Sequence, residues 1–351
     1  MTVPDWWVER RYGMRLHASV ATVPSFSPIG EAAEYYWAHL GTDALAGIAP
    51  HPSPMAEVLA YHRDRWSHVA RYDDFVPFLS YHRFDADEHV ELALDAGMNL
   101  LVQDVKQHDG FCWWDAPGTT RSSVHAGPRR DVVGEIVTAA RRAGMVVGAG
   151  YSLFDWAEHR PDRRFATVGD ELADLIERYG VELLWGDGAD ALAPLPPSAR
   201  NAIADALDRA RELAELQGIE LALNDGWTGD GTVDGFAVFG PTPPPGIVTA
   251  PWVLRRPLGA SACFNRAERD EHLLGPGALV DLLTEVVAKG GTMVVDVGPG
   301  FDGSIPDTIA RTLRDVGTWV YDHADVVHGS RPFDVWGDAR FRYVQVPAEA
   351  G

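Results

Sequence analysis

Residues 183–188 read Leu-Leu-Trp-Gly-Asp-Gly, and the rest of the chain is organised around this stretch. Its apolar start is typical of a strand that is buried on both faces. Because side chains alternate along a strand, Trp185 and Asp187 are predicted to point the same way. An indole beside a carboxylate suits a sugar pocket, where the carboxylate attacks or stabilises an electron-poor ring carbon. The alternative interpretation is that Asp187 only caps the segment that follows.

Short apolar strands alternate with amphipathic helices over most of the chain. Further strands are predicted over 12–17, 99–105, 145–149, 219–223 and 292–297. Helices are predicted between them, the longest over 198–217. This order predicts parallel strands joined by helices, in either a (β/α)8-like (TIM-type) barrel or a doubly wound sheet. Polar residues at nearly every strand end favour the barrel, whose loops converge on one mouth, and no strand is followed by a nucleotide-binding glycine motif.

Two stretches do not follow the alternation, and they are predicted to be loops. These are residues 41–80 and a Gly/Pro-rich excursion over 226–246. Beyond residue 325 the sequence predicts one or two β-strands outside the barrel. The predicted organisation is a catalytic barrel over 1–325 and a short β-strand tail over 326–351.

The composition excludes several classes of protein. The 351 residues are 46% hydrophobic, enough for one large barrel domain, and carry a formal net charge of −21. That charge argues against nucleic acid or an anionic membrane surface as partner. Two cysteines cannot form a disulfide framework or a zinc site. No signal-peptide-like or membrane-spanning run is present, so we expect a cytoplasmic protein. No cofactor is expected, and a homo-oligomer stays open.

A series of short motifs follows in order from about Trp7 to Arg331. They are Tyr12-Gly13-Met14…His17, Glu34-Tyr35-Tyr36, Tyr72-Asp73-Asp74-Phe75, Phe84-Asp85-Ala86-Asp87, Lys106-Gln107-His108-Asp109-Gly110-Phe111, Arg129-Arg130-Asp131, Tyr151-Ser152, Trp185-Gly186-Asp187, Lys289-Gly290-Gly291, Val297-Gly298-Pro299 and Asp302-Gly303. In this order and spacing they resemble the α-L-fucosidases of glycoside hydrolase family 29.

The resemblance implies a retaining mechanism without metal, acting on an α-linked deoxy- or modified sugar, with Asp187 as the nucleophile. The positions that line the fucose pocket correspond here to His17, Glu34, His108, Tyr151 and Trp185. Tyr35 is predicted as a further sugar platform. Gln107 replaces one of two paired histidines, so it can bind a hydroxyl but cannot shuttle a proton. Metal binding by His17, His108 and Asp109 is conceivable in a barrel, but no ligand cluster on one strand supports it.

Several positions depart from the family pattern. The arginine expected after the fifth strand is Gly226, and places that often hold a glutamate are Phe239 and Val253. Retention needs a second carboxyl about 5–5.5 Å from the nucleophile, with a raised pKa. The nearby carboxylates are Asp225, Asp230, Asp234 and Glu268, of which Asp225 is predicted as the general acid because it leaves a strand end. The alternatives to hydrolysis are a non-hydrolytic carbohydrate-binding pseudoenzyme and a barrel enzyme of natural-product metabolism with an altered reaction type.

Overall fold

The computed structural model describes residues 3–41, 55–155, 165–188, 195–228 and 233–346. Eight parallel strands form the main sheet: β1 (Tyr12–Leu16), β2 (Leu100–Lys106), β3 (Val146–Ser152), β4 (Leu183–Asp187), β5 (Ala222–Leu223), β6 (Ala237–Phe239), β7 (Trp252–Pro257) and β8 (Thr292–Val297). Their order in the sheet is β5-β4-β3-β2-β1-β8-β7-β6. Among the described residues, one parallel bridge between Asn224, directly after β5, and Phe236, directly before β6, links the two edges of the curled sheet. The predicted barrel is thereby confirmed.

The helices lie outside the sheet, and most of them connect consecutive strands. They are α1 (Tyr36–His39), α2 (Ala56–Arg65), α3 (Ala86–Asp95), α4 (Val132–Arg142), α5 (Val168–Tyr179), α6 (Pro197–Leu216), α7 (Pro276–Ala288), α8 (Asp307–Asp322) and α9 (Ala324–His328). Local sequence sets several of their ends. Asp85 accepts from the backbone N–H of Asp87 at 2.9 Å to begin α3, and Gly180 ends α5 with φ +56.

The strand residues divide into two packed layers. Side chains such as Leu101, Val147 and Leu184 face the helices, while Val102, Trp185 and their neighbours fill the barrel interior. Near the carboxyl ends of the strands, charged side chains replace the apolar ones in the barrel interior. They are Arg15, Asp104, Asp187, Arg255 and Asp296. This end of a barrel is where active sites are built, because all strand-to-helix loops meet there.

The stretches predicted to be loops contain regular elements. Helix α2 and a 3-10 helix over Tyr72–Phe78 lie within 41–80, and strand β6 lies within 226–246. Helix α2 escaped prediction because it buries only Val58 and so has no apolar stripe. Strand β6 spans three half-buried residues, too short for a visible alternation. Strand β7 was also missed, and in the described part of the chain no helix separates β5, β6 and β7.

The C-terminal segment confirms the predicted short β-rich tail. Strands β9 (Arg331–Gly337) and β10 (Arg342–Gln345) pair antiparallel as a hairpin beside α7. Helix α9 crosses the predicted boundary at residue 325, so the division into two segments stays a prediction. None of the described helices is both long and apolar enough to cross a membrane.

Candidate active site

Asp187 lies at the end of β4 in the mouth of the barrel, with its side chain 24% exposed. Its Oδ2 accepts from Arg15 Nη2 at 3.3 Å and from Arg255 Nη1 at 3.1 Å. Its Oδ1 accepts from the backbone N–H of Gly188 at 2.9 Å. The flanking glycine at 186 is required sterically, because a Cβ there would lie 2.4 Å from the indole of Trp227. The hydrogen bonds from two guanidinium groups and one backbone N–H fix the orientation of the Asp187 carboxylate.

The electrostatic surroundings keep Asp187 ionised. Burial by itself would raise the pKa of its carboxyl, but the charges of Arg255 and Arg15 outweigh burial and hold the pKa well below its usual range. An ionised carboxylate at this position is the form that can attack an anomeric carbon or stabilise positive charge on it.

Asp104 on β2 connects three side chains of the site, and the sequence interpretation missed it. It accepts from Arg15 Nε at 2.7 Å, from His17 Nδ1 at 2.9 Å and from Gln107 Nε2 at 2.6 Å. Asp104 is fully buried, and its partners are nearly so. The amide N–H₂ of Gln107 therefore has a partner within the protein, and the residue braces Asp104.

His17 and Glu34 each present a buried atom without a hydrogen-bond partner. The imidazole of His17 is 3% exposed and leaves Nε2 unpaired, while Glu34 leaves Oε2 unpaired. The charge of Glu34 acts on His17, so the two groups lie near each other. Buried polar atoms normally have partners. Because Nδ1 donates to Asp104, Nε2 carries a proton only in the imidazolium form, which the charge of Asp104 favours. In that form the site suits a hydroxyl that accepts from Nε2 and donates to the Glu34 oxygen.

We expect the two histidines of the site to titrate on opposite sides of about 6.5, the usual value for imidazole. Burial would lower the pKa of His17, but the charge and hydrogen bond of Asp104 outweigh it and raise the pKa. Burial lowers the pKa of His108. Asp104→Asn removes the largest group that raises the pKa of His17 and leaves burial and the charge of Arg255 opposed only by the charge of Glu34, so the pKa of His17 falls. An NMR titration of the imidazole carbons measures both, with His89 on α3, whose charged neighbours are Glu88 and Asp85, as the internal control. An unchanged pKa for His17 in this variant would contradict the assignment.

Tyr35 and His108 form one aromatic side of the site. Their rings stack with centroids 6.0 Å apart, and His108 Nδ1 lies 2.7 Å from Ser152 Oγ. Asp187 acts on the pKa of both, and burial raises the pKa of Tyr35 to about 12, so its hydroxyl stays neutral. Tyr35, His108, His17, Glu34 and Gln107 are thus brought together around Asp187 and its partners.

Trp185 and Tyr151 take different positions. Trp185 points into the barrel like Asp187, since Arg15 contacts both, and the Arg15 guanidinium lies 5.1 Å above the indole centroid. The indole is 2% exposed, one layer below the carboxylate. The Tyr151 hydroxyl faces α5, where it donates to Glu171 and accepts from Lys106 Nζ at 3.3 Å. Sugar binding by either residue stays a prediction.

The candidate general acids are spread over the loops after β5 and β7. Asp225 is half-buried directly after β5, and its backbone N–H donates to Phe236 at 3.0 Å. Glu268 lines a cavity of about 160 Å³ that Asp296 also lines. Burial and the charge of Glu34 raise the pKa of Glu268. Asp234 lies in the described part of the chain, and Asp230 lies outside it.

Arg15, Arg255 and Asp296 are the other residues of this charged network that the sequence interpretation missed. Arg255 Nε donates to both oxygens of Asp296, at 3.0 and 2.8 Å, and its Nη2 lies 3.4 Å from His17 Nδ1. The site thus contains guanidinium groups from β1 and β7, although position 226 is a glycine. A signal existed in the sequence, because single charges of both signs interrupt apolar strands, which requires pairing inside the fold.

The site supports no metal centre among the residues that the structure describes. Within those ranges no three His, Cys, Asp or Glu side chains are grouped so as to hold a metal ion. Asp109, considered with His17 and His108 as a ligand, accepts instead from Ser19 Oγ at 3.1 Å and from Tyr72 at 3.1 Å. It organises the loop after β1.

Comparison with known proteins shows which family the chain belongs to. The family model described as Alpha-L-fucosidase matches residues 1–325. An α-L-fucosidase from Dictyostelium discoideum is 26% identical over 353 residues, covering 95% of this chain and 73% of the relative. Human plasma α-L-fucosidase is 24% identical, covering 93% of this chain and 69% of the relative. The crystal structure of Thermotoga maritima α-fucosidase in complex with fucose gives a TM-score of 0.80 at 26% identity, covering 95% of this chain and 77% of that one. The chain therefore belongs to the α-L-fucosidase family and is a glycoside hydrolase.

Proposed function

We propose that this protein hydrolyses an α-linked deoxy- or modified sugar from a small-molecule or oligosaccharide glycoside, with retention of configuration and with Asp187 as the nucleophile. The observation that carries the proposal is an ionised Asp187 at the barrel mouth near the unpaired Nε2 of His17 and an unpaired Glu34 oxygen. A carboxylate and a ready pair of hydroxyl partners are what a sugar ring with one reactive carbon needs.

The reaction has two steps. In the first, an oxygen of Asp187 forms a bond to the anomeric carbon, the bond to the aglycone oxygen breaks, and that oxygen gains a proton from the general acid. In the second, the same acid, now deprotonated, takes a proton from water. The water oxygen bonds to the anomeric carbon, and Asp187 leaves as a carboxylate. Each step inverts the configuration at the anomeric carbon, so the two steps together retain it.

The proton donor is proposed to be Asp225, which follows a strand at the mouth of the barrel. Glu268 is the second candidate, and its raised pKa favours it, because a general acid must hold its proton near neutral pH. Substrate contacts are assigned to His17, Glu34, Tyr35 and His108. The T. maritima relative was solved with fucose, and an α-L-fucoside is accordingly the first substrate to test.

The test is release of 4-nitrophenol from 4-nitrophenyl glycosides of α-L-fucose and related sugars. We expect release from the α-L-fucoside or from a close analogue, and early NMR spectra of the product should show the α-anomer first. A β-anomer formed first would contradict retention. Saturable binding without release from any member of the panel would favour the carbohydrate-binding pseudoenzyme. A product that carries no oxygen from ¹⁸O-labelled water would favour the altered reaction type.

A further inference from the structure

Arg255 contacts two carboxylates of the site, and the proposed function gives it no role. It lies on β7, across the barrel from Asp187 on β4, and its guanidinium joins two carboxylates. Nη1 donates to Asp187 Oδ2 at 3.1 Å, and Nε donates to both oxygens of Asp296. Asp296 is 1% exposed and Arg255 is 22% exposed. The charged hydrogen bonds from Nε to Asp296 hold the guanidinium beside Asp187.

The same oxygen of Asp187 also accepts from Arg15 Nη2, which Asp104 holds through Nε. Oδ2 therefore accepts hydrogen bonds from two positively charged groups, while Oδ1 accepts one from a neutral backbone N–H. Positive charge that stabilises a carboxylate makes it a weaker base. A weaker base attacks carbon more slowly and leaves carbon more easily, because charge is lost in the attack and regained in the departure.

The consequence differs for the two steps of a retaining reaction. Ester formation removes the charge of Asp187 and with it the attraction of Arg255 and Arg15. Ester hydrolysis restores that charge in front of two guanidinium groups that are already in place. Asp296 balances Arg255 throughout, since its contacts do not involve Asp187. Arg255 is thus arranged to speed the second step at the expense of the first.

We propose that Arg255, anchored by Asp296, is a positioning residue that keeps the sugar–Asp187 ester short-lived, so that ester formation limits turnover. This inference rests on the proposed function. It assigns Arg255 no bond to the substrate and no proton transfer. Its effect is on the leaving ability of Asp187.

The experiment is rapid-mixing kinetics of the full chain with the best 4-nitrophenyl glycoside. The wild type should show no burst of nitrophenol, because the first step limits. In Arg255→Met the ester should accumulate and give a burst approaching one nitrophenol per protein. Its kcat should fall by about tenfold to a hundredfold, the usual worth of one charged hydrogen bond. KM should fall at least as much, and kcat/KM, which reports the first step, should not decrease.

Two further variants separate this role from folding. Arg255→Met leaves Asp296 buried and unpaired, so Arg255→Met combined with Asp296→Asn removes both charges and should show the same burst. Arg256→Met, the next residue on β7 and outside the site, is the matched control and should show no burst. Intact-mass spectra of the quenched reaction identify the ester directly.

The outcomes separate the two proposals. No release by the wild type from any glycoside removes the proposed function and this inference with it. A different pattern would overturn the inference alone. In it, the wild type shows Asp187-dependent release, while Arg255→Met and its double variant with Asp296→Asn both show a higher KM, a lower kcat/KM and no burst. That pattern is what a purely structural or substrate-binding Arg255 produces.

Discussion

Replacing Asp187 with Asn should lower kcat for the preferred aryl glycoside on the order of 10⁴-fold or more. The amide keeps the size of the side chain but cannot form the ester, so the route through the two-step reaction is lost. The loss follows from the position of Asp187 at the barrel mouth, where Arg255 and Arg15 keep it ionised. Steady-state release of nitrophenol measures the effect.

A companion variant tests the nucleophilic role more directly. Asp187→Gly leaves room for a small anion, so added azide should restore release and give a glycosyl azide of inverted configuration. The matched control is Asp170→Asn, because Asp170 is an exposed carboxylate on α5, paired with Arg209 and far from the barrel interior. Far-UV circular dichroism of each variant checks the fold. Wild-type kcat in Asp187→Asn, or rescue with retained configuration, would exclude Asp187 as the nucleophile.

The second large effect is expected for stability at a buried ion pair outside the pocket. Lys106 Nζ lies 3.1 Å from Glu171 Oε2, and the two side chains are 6% and 2% exposed. Burial would lower the pKa of Lys106, but the charge of Glu171 outweighs it and raises the pKa well above its usual value. Lys106→Met leaves the Glu171 carboxylate buried with the Tyr151 hydroxyl as a partner. The free energy of unfolding should fall by about 3–5 kcal/mol.

Chemical denaturation checks this expectation, with two comparisons. The double variant Lys106→Met with Glu171→Leu should be more stable than Lys106→Met alone, since it leaves no unpaired charge. Arg209→Met breaks an exposed pair with Asp170, whose side chains are 51% and 67% exposed, and should cost less than about 1 kcal/mol. Equal losses in the single and double variants would show that packing of the lysine stem matters more than the charge.

The sequence by itself determined the architecture and the central carboxylate. The strand–helix alternation and the polar strand ends depend on local periodicity, which survives in a single sequence. The alternation along Leu183–Asp187 placed Trp185 and Asp187 on one face, and the structure confirms this arrangement. The motif order was enough to name the family. Cap residues such as Asp85 and the ending at Gly180 were likewise readable, because they act within one turn of helix.

Only the tertiary structure decided which charges meet. The partners Arg15, Asp104, Arg255 and Asp296 come from four strands, and sequence spacing does not reveal pairings across a barrel. A shift of register between Asp104 and Lys106 accompanies the turn of Lys106 toward Glu171 and α5. The short strands β5 and β6 exist because their neighbours hydrogen-bond to them, with no pattern of their own. Local periodicity fixes the elements, whereas long-range strand pairing fixes the electrostatics of Asp187.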